Sequence, residues 1–189
     1  MLNRRFFLKA CAAMALGIPV SGFAASDGNR RIQSVPRGYI QVALEKQLPP
    51  LILFGVALQE SSMLFRGMKY RELLPWPWTL NVKRVPKRFE SRRAAERELL
   101  SNLAQGVTLV DIGPMQVCWH YHKDRFVSER DALDPYTNLR AGADILREEF
   151  RTRGNWFAAV GCYHAPKDPA RAHAYATSVF RRVGMMNHA

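Results

Sequence analysis

Several features that would quickly narrow the function of this chain are missing. It holds only three cysteines in 189 residues, and no two of them form a Cys-x-x-Cys pair. His-Glu-x-x-His is absent too, so neither common zinc signature is available. No apolar run approaches the ~20 residues needed to cross a bilayer. Zinc-finger spacing, an RNA-binding aromatic motif and a convincing recognition helix are all lacking, which leaves nucleic-acid binding with charge as its sole support. Internal repeats, heptads and low-complexity linkers do not occur, so a single domain is expected. Acid is scarce: 16 Asp and Glu stand against 28 Lys and Arg, a formal charge of +12. Such a surface favours anionic partners but does not choose among them.

The first 25 residues read as an export signal and residues 26–189 as the functional domain. Arg4, Arg5 and Lys9 form a basic head, Ala10 to Val20 a short apolar run, and Gly22 and Ala24 the small residues before a cleavage point. NRRFFLK is similar to a twin-arginine export signal, which predicts a periplasmic protein with no membrane anchor after cleavage. Removing three cations and no acid lowers +12 to +9. About 165 residues then remain, enough for one hydrophobic core. Two cysteines survive, Cys118 and Cys162. In an oxidising compartment they read either as a disulfide, stabilising by ~2–4 kcal/mol, or as two separate thiols.

The pattern predicts a mainly α, α+β fold: one helical domain with a small β element. Helices are expected over Gly38–Gln47, through the apolar run LILFGVALQESSML, and from a Ser91 cap to Gln105. Further helices are expected over Leu139–Arg151 with Asn138 as cap, from Asn155, and from Asp168-Pro169 to Gly184. WPWTLNV, aromatic and β-branched after Pro75, predicts a strand at Trp78–Val82.

Glu60 lies near the end of the most apolar of these helices. A buried carboxyl keeps its proton to higher pH, which suits a general acid; at the surface Glu60 would simply be wet. Cys118, His120 and His122 attract attention as metal ligands, yet alternate helical positions diverge, and no metal is expected. A Cys-His nucleophile would need a free thiolate and is set aside.

Four blocks in order now carry a resemblance: Glu60-Ser61 in VALQESSM, Gly113 to Val117 in GPMQV, Asn138-Leu139 with Gly142, and Ala159 with Tyr163 in AVGCYH. Together they resemble the SLT-type, lysozyme-like lytic transglycosylases, with WPWTLNV similar to the conjugation- and secretion-associated branch. Pro114 stands where that family has leucine, and His164 where asparagine is common.

The resemblance implies cleavage of peptidoglycan between N-acetylmuramic acid and N-acetylglucosamine, without a cofactor and with a 1,6-anhydro product. Glu60 is then the one catalytic acid-base. Ser61 supports it, Tyr163 orients it, Gln116 contacts the sugar, Met115 lines the cleft floor, and His164 replaces an asparagine contact. Asp111 is assigned a structural role. Convergence of the blocks on one cleft implies a Cys118–Cys162 bridge. Peptidoglycan is the implied partner, together with conjugation or secretion proteins. A catalytically silent peptidoglycan-binding assembly protein of the same fold is the alternative reading.

Overall fold

The computed structural model describes residues 34–66 and 71–184. The export-signal reading falls outside the described residues. Helices α1 (Arg37–Glu45) and α2 (Pro50–Ser61) come first. The β strands follow: β1 (Ser62–Arg66), β2 (Arg71–Pro75), β3 (Thr79–Val82) and β4 (Val85–Arg88). Helix α3 (Arg92–Ala104) leads to β5 (Val110–Ile112) and β6 (Val117–Cys118). Short helices α4 (Trp119–His122) and α5 (Glu129–Ala132) precede the long helices α6 (Pro135–Arg153), α7 (Trp156–His164) and α8 (Pro169–Gly184). The fold is mainly helical with a small β element, as the sequence predicts. No helix among the described residues is long and apolar enough to cross a membrane.

Helix α2 is the axis of the core. Pro50 at its first turn has no N–H to satisfy, and every residue from Ile52 to Leu58 is buried. Its one glycine lets α8 approach: a Cβ on Gly55 would lie 2.6 Å from Val183 Cγ2. The helix stops at Ser61, where the chain turns extended into β1, three residues before the apolar run itself ends. Antiparallel pairing of Ser62 with Pro75 and of Met63 with Leu74 captures those residues in a two-stranded sheet. Periodicity could not foresee that capture, because strand pairing is non-local.

The second sheet is antiparallel in the order β4–β3–β5–β6. Its strand β3 matches the predicted strand to within one residue. Leu80, Ile112 and Val117 align across β3, β5 and β6 and are buried in the core.

Local capping fixes most helix starts. Ser91 Oγ accepts from the Ala94 N–H, Asn155 Oδ1 from Ala158, and Asp168 Oδ1 from Arg171. The predicted start of α6 is corrected. Asp134 is its cap, accepting from the Thr137 N–H at 2.9 Å, and Pro135 opens the first turn. Asn138 is instead a buried residue inside the helix, where its amide meets the core turn described below.

Candidate active site

Glu60 occupies the last turn of α2, with 16% of its side chain exposed. Tyr175 on α8 donates a 2.5 Å hydrogen bond from its hydroxyl to Glu60 Oε1. His164, at the end of α7, stacks on the Tyr175 ring with centroids 4.5 Å apart and planes within 3°. Its Nδ1 lies 3.9 Å from the same Glu60 oxygen. Burial pushes the Glu60 carboxyl from an ordinary 4.5 up to about 7; the Tyr175 hydrogen bond opposes that rise and the Asp111 charge adds to it. His164 is held below its usual range by burial and then by Arg171. The two shifts run in opposite directions, burial favouring the protonated carboxyl and the neutral imidazole. Burial and the Glu60 charge hold the Tyr163 and Tyr175 phenols well above their usual range, so both stay donors.

The turn from Gly113 to Gln116 connects β5 to β6 and is pinned from four directions. Gly113 adopts φ 76° and Gln116 φ 48°, both left-handed. Ser61 Oγ, fully buried, lies 2.8 Å from Pro114 O and 3.1 Å from Ala57 O, so its proton serves the turn and its own helix. Tyr163 donates to Met115 O at 2.7 Å. Asn138 Oδ1 accepts from the Met115 N–H, while its Nδ2 reaches Ile112 O and Ala132 O. Gln116 Nε2 donates back to Gly113 O at 2.8 Å and across to Thr79 O at 3.3 Å. Through Ser61 this turn fixes the end of α2, and with it Glu60.

The four sequence blocks thus meet, but several expected roles change hands. The Tyr163 hydroxyl holds Met115 O, and Tyr175 is the tyrosine bonded to Glu60. Met115 is fully buried against Gly142, where an added Cβ would come within 2.8 Å of it, so it is core and not an exposed floor. The Gln116 amide nitrogen is occupied inside the turn. Pro114 is compatible with its place because the turn uses its carbonyl, which proline retains. Tyr175 escaped the sequence reading, although it shares an inward α8 stripe with Val179 and Val183, and a buried tyrosine needs a polar partner.

The disulfide is overturned: Cys118 and Cys162 are both free. Cys118 pairs across the sheet with Asp111 and hydrogen-bonds its carboxylate; burial, then that neighbour, push the thiol up to about 11. Cys162 points elsewhere, because adjacent helical positions lie about 100° apart. While Tyr163 faces the turn, Cys162 lines a pocket of about 290 Å³ with Phe157, Pro166 and His173. That pocket shares no residue with the surroundings of Glu60, and its lining is mostly apolar. The perturbed carboxyl, rather than enclosed volume, marks the candidate site. Among the described residues no cluster of three or more His, Cys, Asp or Glu could hold a metal.

Comparison with known families gives one match: the family described as Transglycosylase SLT domain, over residues 39–179. No curated protein and no solved structure matches the chain.

Proposed function

The chain belongs to the transglycosylase SLT domain family, and from that premise we propose that it cuts the β-1,4 bond between N-acetylmuramic acid and N-acetylglucosamine in peptidoglycan. Glu60 is the single catalytic carboxylate in this reading. The observation that carries it is a largely buried carboxyl at the end of an apolar helix, fixed on one oxygen by Tyr175, with burial raising its proton affinity to about 7.

The protonated Glu60 carboxyl donates to the glycosidic oxygen as the bond to the muramoyl C1 breaks. The resulting carboxylate then accepts the proton of the muramoyl 6-hydroxyl, whose oxygen bonds to C1 and closes the 1,6-anhydro ring. The proton count on Glu60 is restored, so the cycle needs no second carboxylate to activate water. Tyr175 stabilises the transient carboxylate and limits its rotation. His164, stacked on Tyr175, supplies a polar edge beside the same oxygen.

The basic N-terminal segment and the twin-arginine-like string support export to the periplasm. There the enzyme opens the wall locally for a conjugative or secretion apparatus. Purified murein sacculi incubated with the protein should release anhydromuropeptides identifiable by mass. Reducing-end products alone would redefine it as a hydrolase, and binding without release would make it a silent assembly protein.

A further inference from the structure

The hairpin joining β3 to β4 turns on two residues, since Val82 pairs with Val85 and leaves Lys83 and Arg84 between them. Both are left-handed, with φ 50° and 69°. A two-residue hairpin needs that conformation to follow the twist of its strands, and Asn-Gly or Asp-Gly normally supplies it. Lysine and arginine enter the region only under strain. The tip therefore gives up stability to display two cations.

Those cations stand without acidic partners, while their neighbours are used inside the fold. Lys87 pairs with Glu98, and Arg88 Nη2 donates to Ser62 O at 3.0 Å. Lys83 and Arg84 are exposed and make no ion pair among the described residues. From Thr79 to Phe89 there is no acid, and from Gln105 to Lys123 only Asp111, half-buried within the sheet.

Apolar groups flank the tip. The Lys83 N–H donates to Leu109 O at 3.2 Å, which sets Leu109 beside it with 52% of its surface exposed. Val85, next to Arg84, is 56% exposed. Thr108 Oγ1 lies 2.9 Å from His120 Nδ1, so Tyr121, 71% exposed, stands at the same end of the sheet. The tip lines neither the Cys162 pocket nor the one among Tyr39, Pro114 and Tyr136. A convex tip gives a small ligand no enclosure. A specific protein interface takes roughly 20–30 residues a side, far more than this tip presents. A charged, planar headgroup layer needs neither enclosure nor many residues, because each cation near it adds attraction and exposed apolar side chains rest at its boundary.

We propose that the β3–β4 tip docks on an anionic bilayer surface, Lys83 and Arg84 meeting lipid phosphates while Val85, Leu109 and Tyr121 rest at the headgroup boundary. The long stems of the two cations let their charged ends reach phosphate as the aliphatic groups settle. The catalytic turn lies at the other end of the same strands, where Thr79 O accepts from the Gly113 N–H, so docking does not cover Glu60. The inference is independent of what Glu60 cuts.

The test is co-sedimentation of the full chain with vesicles of phosphatidylglycerol and phosphatidylcholine in equal parts, against phosphatidylcholine alone. The unsubstituted chain should bind the anionic vesicles and be released by salt. Lys83→Asn combined with Arg84→Gly should lower the partition coefficient about twenty-five-fold, roughly fivefold per cation. The same pair should raise Tm, because it suits the turn; a merely structural tip would raise Tm and leave partitioning unchanged. Leu109→Asp, which spares the turn, should lower partitioning about tenfold. Arg4, Arg5 and Lys9 also attract anionic lipid, so all proteins carry the same N-terminus and only differences between them count. Equal partitioning of the unsubstituted chain and both variants overturns the proposal. Weaker retention on murein sacculi with vesicle binding unchanged overturns it too, and makes a wall polymer the partner of the tip. Both variants should cut sacculi in solution as the unsubstituted chain does, so failure here leaves the reading of Glu60 standing.

Discussion

Single residues set the chemistry through their surroundings. Burial moves the Glu60 proton to about neutral pH, so with Glu60 as the proposed general acid kcat/KM should fall as pH rises through about 7. Because the Tyr175 hydrogen bond favours the carboxylate, Tyr175→Phe should shift that basic limb upward while lowering kcat; a pH–rate profile on solubilised glycan checks both signs. Glu60→Gln should abolish turnover. It should also stabilise the protein selectively. The folded carboxyl at about 7 binds a proton more tightly than the ordinary 4.5, so wild-type stability declines as pH rises from about 4.5 to 7. The span corresponds to at most about 3 kcal/mol. Thermal melts should therefore show the Gln variant gaining on wild type at pH 8 and not at pH 4.

At the scale of elements, one turn holds the end of one helix. Asn138 links α6 to the backbone at Ile112, Met115 and Ala132, all inside the core. Asn138→Ala should cost about 3 kcal/mol, as buried donors and acceptors lose their partners, and denaturant titration would measure it. Gly113→Ala should be as damaging for a different reason. It needs φ 76°, and its new Cβ would sit 2.6 Å from Asn138 Cγ. Both variants should depress activity beyond their effect on folding, because Ser61 transmits the position of the turn to Glu60. Activity measured well below each variant's Tm separates the two effects.

For the whole molecule, stability comes from helix packing around α2 rather than from cross-linking. A thiol titration of the unfolded, unreduced protein should count Cys118 and Cys162 as free, and reducing agent should leave Tm unchanged. The N-terminal 25 residues are proposed to be removed on export, which predicts cleavage near Ala24 or Ala25. N-terminal sequencing of periplasmic protein checks it, and an intact Met1 would refute it.

By itself the sequence determined the fold class, the helix starts capped by Ser91, Asn155 and Asp168, and the four motif blocks that go with the SLT family. These depend on neighbours within a few residues, or on blocks whose order survives in one dimension. Tertiary structure alone decided which groups touch. The α2 run ended early because β1 found β2, Asp134 displaced Asn138 as cap, and Tyr175 took the partner expected for Tyr163. The two cysteines stay free among different neighbours, Cys118 beside Asp111 and Cys162 beside Phe157 and Pro166. Side-chain direction depends on register and helical phase, and a hydrogen bond forms or fails over distances far smaller than the uncertainty of any sequence-based boundary.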